Sequence, residues 1–152
     1  GQTTYTSEAT TRGIRIEVES AYLSGQSSPR DNHYLFAYHV RISNVGSETA
    51  QLVSRHWIIS DARGHTEEVK GLGVVGHQPL LKPGESFQYS SGSRLRTPTG
   101  TMHGSYFCVA EDGERFASAI PMFVIEAGDA GGPGNGAGGG SAPSRGALRG
   151  CR

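Results

Sequence analysis

Gly71, Gly73 and Gly76 fall in the spacing G-x-G-x-x-G, flanked by Lys70 and His77. In a dinucleotide-binding domain that spacing lets the backbone approach a pyrophosphate, whose charge meets the amides of the helix that follows. Here the next residues are His77-Gln78-Pro79-Leu80-Leu81-Lys82-Pro83-Gly84, and two prolines with a glycine exclude an ordinary helix. No acidic residue about 20 positions on completes a βαβ unit, and no Lys-Ser or Lys-Thr closes the run as a P-loop does. The glycines therefore read as a loop between sheets, placed where positive φ or close backbone approach is needed. A second reading keeps a ligand. Successive amides of a glycine loop can form an anion-binding nest without a helix, with Lys70 and His77 adding positive charge.

Other chemistry-bearing residues are scattered. His33, His39, His56, His65, His77 and His103 form no H-E-x-x-H, H-x-H or Cys/His spacing that would let metal ligands converge. His39 takes the polar parity of its strand, and His65 and His103 read as hairpin or loop residues. Ser54 or Ser60 with His56 and Asp61 evokes a triad, but no G-x-S-x-G elbow exists and adjacent strand residues point to opposite faces. Arg55 is expected to pair with Glu67 or Glu68 across a hairpin, a surface contact of under about 1 kcal/mol. No two carboxylates stand out as an acid/base couple. The expectation is no catalytic residue, no dedicated metal site and no cofactor, with Gly71, Gly73, Gly76, His77, Arg55 and His56 as candidate contact residues.

Composition narrows the class. The 152 residues carry zero formal net charge and no long basic run. Nucleic-acid binding through phosphates needs clustered Lys and Arg and is not expected. Two cysteines, Cys108 and Cys151, make no disulfide framework, which fits a reducing, cytoplasmic setting. No apolar stretch approaches the roughly 20 residues of a membrane span, and no signal-peptide pattern opens the chain. From Gly128 onward Gly, Pro, Ser and Asn dominate, a composition that buries too little apolar surface to offset ordering. Residues 1–127 are thus expected to form one domain, with 128–152 a flexible Gly-rich tail.

The elements that must hold the candidate residues are strands. Ile14, Ile16 and Val18 alternate with Arg15, Glu17 and Glu19; Tyr34, Phe36, Tyr38, Val40 and Ile42 alternate with Leu35, Ala37, His39 and Arg41. Residues 25–32 and Asn44-Val45-Gly46-Ser47 are turns by composition. A third run covers 51–60, with Val53, Trp57 and Ile59 on one parity and Trp57 as the core anchor. Asp61-Ala62-Arg63-Gly64 suits a type I turn before a return strand at 65–70. A strand follows Pro83-Gly84 around Ser86-Phe87-Gln88-Tyr89, and Thr97-Pro98-Thr99-Gly100 is a turn. The last hairpin surrounds Glu111-Asp112-Gly113. A two-residue turn puts Val109 opposite Phe116, a three-residue loop puts Cys108 there, and apolar residues on both faces leave the register open. Pro121 suits an edge strand or a bulge. Seven or eight short strands without a helical stripe predict an all-β, immunoglobulin-like antiparallel β-sandwich.

Several strings together are more specific than any one motif: SRHW at 54–57, VKGLGVVGHQP at 69–79, LKPGESFQY at 81–89 and TPTGTMHGSY at 97–106. They resemble the ApaG family, over about Tyr5 to Ile125. That resemblance implies a fibronectin type III-like β-sandwich. It also implies a protein-binding module, since related domains are joined to F-box segments in ubiquitin ligase adaptors, and a link to cobalt resistance and to magnesium or cobalt efflux. It carries over no catalytic residue. The expected partner is a protein of unknown identity. The alternative is a small-ligand regulator that binds an anion, a nucleotide phosphate or a divalent metal weakly through the 71–77 loop.

Overall fold

The computed structural model describes residues 4–127; the Gly-rich tail and Cys151 lie outside them. Nine strands run in chain order: β1 (Thr4–Thr11), β2 (Ile14–Tyr22), β3 (Tyr34–Asn44), β4 (Ala50–Asp61), β5 (Thr66–Leu72), β6 (Leu80–Leu81), β7 (Ser86–Leu95), β8 (Thr99–Ala110) and β9 (Arg115–Glu126). Two short 3-10 turns interrupt the loop between β2 and β3. Two antiparallel sheets face each other, ordered β1-β2-β3-β7 and β5-β4-β8-β9, with β6 also paired to β4. This is the expected sandwich, with two strands that the apolar pattern conceals. β1 has no large aliphatic residue, and β6 is only two residues long.

The core lies between the sheets, on the parity the alternation predicts. Ile14, Ile16, Val18, Phe36, Tyr38, Val40 and Ile42 come from one sheet and Leu52, Trp57, Ile59, Met102, Tyr106 and Phe123 from the other. Trp57 is fully buried at the centre, its ring 5.1 Å from Tyr38, 6.3 Å from Tyr106 and 6.2 Å from Phe123. Burying an aromatic of this size contributes about 2–3 kcal/mol.

Four local readings need correction. Val53 does not share the inward parity of Trp57: Leu52 is buried instead, because the register between β4 and β8 shifts between Leu52 and Ser54. The bulge lets Leu52 and Trp57, an odd number of residues apart, face the same core. Thr99-Gly100 and His103 belong to β8 rather than to a turn or loop. Arg55 does not pair with Glu67 or Glu68. The β4–β5 register sets those two opposite Ile59 and Ile58, and Arg55 opposite Gly71.

The Asp61 turn forms as expected. Gly64 N–H donates to the Asp61 carbonyl at 3.2 Å, and the Asp61 carboxylate accepts from Arg63 N and His65 N at 2.9 Å each. The last hairpin takes the three-residue loop, with Cys108 opposite Phe116 and Gly113 at φ 90°. Pro121 satisfies both of its readings, on the edge strand β9 and at a register shift opposite His103.

Candidate functional site

The glycine segment begins in β5 and ends in a tight turn. Val74 N–H donates to His77 O at 2.8 Å and His77 N–H returns to Val74 O at 2.9 Å. The two residues between them, Val75 at φ 40° and Gly76 at φ 85°, are both left-handed, as in a type I′ turn. A β-branched residue in that region is an outlier, and such strain gathers at functional sites. Gly73 is fixed twice over. Its φ is 65°, and a Cβ there would lie 2.4 Å from the His77 carbonyl oxygen.

Arg55 braces the turn from β4. A Cβ on Gly71 would sit 2.8 Å from the guanidinium carbon and both terminal nitrogens, so the bare glycine is what lets the guanidinium lie across β5. From there one terminal nitrogen donates to the carbonyls of Leu72 and Gly73, each at 3.0 Å. The bulge residue Val53 supplies the other anchor. Its carbonyl accepts from Gly73 N at 2.8 Å and from the Gln78 side chain at 3.0 Å. Leu52 N–H donates to Pro79 O, and the Gln51 side chain to Gln78 O. Val74 is fully buried and pins the turn to the core. His77 packs against Phe87 with the rings tilted at 56°, their centroids 5.5 Å apart.

Arg55, Gly71, Gly73, Gly76 and His77 therefore belong to one unit. His56 does not: it lies on the opposite face of β4, between Lys70 and Ser105, with Nε2 3.1 Å from a Glu68 carboxylate oxygen. Its backbone carbonyl is covered by Gly104, where a Cβ would come within 2.0 Å. The amides of Gly73, Val74 and His77 are taken up by carbonyls of the chain itself, so an anion in the loop would have to displace those bonds. Ser60 Oγ bonds Thr66 Oγ1 and the Asp61 carboxylate caps its own turn, so both are engaged away from His56. Among the described residues no group of three or more His, Cys, Asp and Glu side chains is placed to hold a metal ion.

Behind the brace, Tyr106 lies opposite Arg55 and its hydroxyl meets that of Tyr89 at 2.5 Å. Burial, and then the neighbouring Tyr89, hold the Tyr106 phenol well above its usual range. Burial alone pushes the Cys108 thiol up to about 12.

Sequence reasoning misses the apolar side chains around this unit. The bulge turns Gln51 and Ser54 to the same outer face. Leu72 and Phe107 flank Ser54, and Leu80 and Val109 flank Gln51. Leu72 is 75% exposed, Leu80 58% and Phe107 37%. The available signal was the odd separation of Leu52 and Trp57, which no regular strand can bury on one side.

The ApaG domain family matches residues 24–110. The ApaG protein of Acidovorax sp. (strain JS42) is 64% identical over 121 residues, covering 80% of this chain and 88% of that one. The ApaG protein of Ralstonia nicotianae is 56% identical over 112 residues, covering 74% and 90%. A crystal structure of a Bordetella pertussis protein designated ApaA superposes with a TM-score of 0.74 at 50% identity, over 76% of this chain and 94% of that one.

Proposed function

The chain belongs to the ApaG domain family, and from that premise we propose that it acts as a non-enzymatic interaction domain in the cytoplasm, recruiting a protein partner through the braced turn and the strand carrying Arg55. One observation carries this reading: Leu72, Leu80 and Phe107 are exposed on one outer face beside a turn locked by Arg55 and Val53. Apolar side chains grouped on a pre-organised surface favour contact with another protein, because little ordering entropy is lost on binding. The strained Val75, 39% exposed at the tip, adds a side chain displayed against backbone preference.

A part in cobalt or magnesium homeostasis would then be indirect. Among the described residues no helix is long and apolar enough to cross a membrane, so those residues offer no helical path for an ion and would act on a transporter or its regulator. The experiment is affinity capture with the full chain and with Gly73→Asp, His77→Ala and Arg55→Ala, each checked for folding by circular dichroism. Loss of a specific partner in the variants supports the reading, and undiminished capture by all three folded variants removes it. Calorimetry with inorganic phosphate, cobalt and magnesium tests the small-ligand alternative, which saturable heat would favour.

A further inference from the structure

The two sheets have four edges, and three of them carry a device that blocks pairing with another chain. β9 has Pro121 and a register shift. β1 lies against β9, where Ser7 Oγ donates to Pro121 O at 2.9 Å and Ala119 N–H donates to Thr11 Oγ1 at 3.3 Å, so each covers the other. β5 carries Glu67, Glu68 and Lys70 along its seven residues. Charges, prolines and bulges are the usual means by which an exposed edge is kept from pairing.

β7 has none of these from Ser86 to Ser93. Its ten residues, SFQYSSGSRL, contain no proline and no charge before Arg94, and its pairing with β3 is unbroken from Ser86 to Leu95. Among the described residues β3 is its only neighbour in the sheet. The free hydrogen-bonding groups follow from the alternation of an antiparallel ladder. Val45 N–H bonds Gly13 O, towards β2, and Asn44 N–H bonds Glu85 O, towards β7. The even-numbered residues of β3 therefore face β7 and pair with its odd-numbered residues. The N–H and C=O groups of Ser86, Gln88, Ser90, Gly92 and Arg94 point away from the sheet. Beside the start of this edge a cleft of about 470 Å³ opens between β6 and β7, its apolar wall made by Pro79, Leu80, Leu81 and Phe87 and its polar rim by His77, Gln78, Glu85 and Ser86.

We propose that the β7 edge receives an extended segment of a partner protein as a fifth strand of this sheet, with one apolar side chain of that segment seated in the cleft beside Phe87 and His77. This rests on the reading of the protein as an interaction domain and names the mode of contact. A free segment suits the site better than a second copy of the chain. In a symmetric β7–β7 pairing the inward side chains offered to the cleft would be Tyr89, Ser91 and Ser93, and these are already buried in their own sandwich. A segment with alternating apolar and small polar residues has its apolar set free to fill the cleft, while main-chain bonds supply affinity.

The test uses the full chain and acetylated, amidated heptapeptides that alternate threonine with valine or leucine, followed by amide hydrogen exchange and chemical shifts. Binding should slow exchange at Ser86, Gln88, Ser90 and Gly92. Ser90→Ala should bind as the wild type does, since only the backbone is read. Ser90→Pro removes an outward N–H that the β3 ladder does not use; it should keep the fold and weaken binding about tenfold or more, the loss of one to two main-chain bonds. Slowed exchange that survives Ser90→Pro would overturn the proposal, as would shifts confined to the glycine turn. Protection that rises with protein concentration without peptide would assign the edge to a second copy and overturn it too. If Gly73→Asp abolishes partner capture while Ser90→Pro leaves it intact, the interaction domain stands and the strand addition falls.

Discussion

The packing of Arg55 over Gly71 makes an unusual prediction, a glycine-to-alanine change whose sign depends on a second residue. Gly71 lies in regular strand, so alanine there is conformationally acceptable, and it should stabilise by about 0.5 kcal/mol through the unfolded chain alone. In the intact protein the new Cβ would meet the guanidinium at 2.8 Å and displace it, breaking its bonds to Leu72 O and Gly73 O. Two bonds from a charged donor to partly exposed carbonyls contribute about 2 kcal/mol together. Gly71→Ala alone should therefore cost about 1–1.5 kcal/mol and Arg55→Ala alone about 2 kcal/mol. With Arg55 already removed, Gly71→Ala should stabilise by about 0.5 kcal/mol, a coupling of about 1.5–2 kcal/mol. Urea unfolding followed through Trp57, the single tryptophan, measures all four corners of the cycle. Equal costs for Gly71→Ala in both backgrounds would refute the brace.

Gly104→Ala should cost about 3 kcal/mol or more, because its Cβ would meet the His56 carbonyl of the adjacent strand at 2.0 Å, whereas Gly113→Ala, with open space but φ 90°, should cost only about 1–2 kcal/mol. Melting temperatures of the two variants compare them directly. Val75→Asn places the preferred Asn-Gly pair in the turn and should stabilise by about 1 kcal/mol while weakening partner capture, since the displayed side chain is lost. Alkaline pH should destabilise the fold. Cys108 and Tyr106 keep in the folded state protons that the unfolded chain releases, so their contribution is complete below pH 9.0 and is lost as pH rises from there towards about 12. A urea midpoint that stays level from pH 8 to 11 would contradict this, and Cys108→Ser should flatten the part due to the thiol.

The sandwich was legible because β2 and β3 alternate without interruption and because turn residues mark most strand ends. The hairpin register at Glu111-Asp112-Gly113 was not, since Phe107 and Cys108 are both apolar and either parity satisfied the pattern. β1 escaped because its inward residues, Tyr5, Ser7, Ala9 and Thr11, are only half-buried and several act by hydrogen bonding across to β9. At the candidate site the glycines and His77 were visible as a unit. The role of Arg55 was not, because cross-strand reasoning needs a register, and the bulge at Val53 alters how β4 presents its faces. Asn44 shows the same limit. It reads as a turn residue, yet its side chain joins three segments, donating to Glu48 O and Leu81 O and accepting from Gly46 N.

The G-x-G-x-x-G spacing has a cause here that owes nothing to phosphates. Gly71 is bare so that an arginine can cross the strand, Gly73 because a carbonyl occupies the space of its Cβ, and Gly76 because the second centre of a type I′ turn is left-handed. The three demands arise from a single strand end, and a strand that passes under a cross-strand side chain and then reverses in four residues places them two and three residues apart. The same demands make the turn rigid. A rigid turn can hold Leu72 and Val75 in water, at 75% and 39% exposure, where a mobile loop would lose them to looser local collapse. Rigidity and display are thus one property of this segment. Substitutions that loosen the brace should reduce binding even when they touch no partner atom.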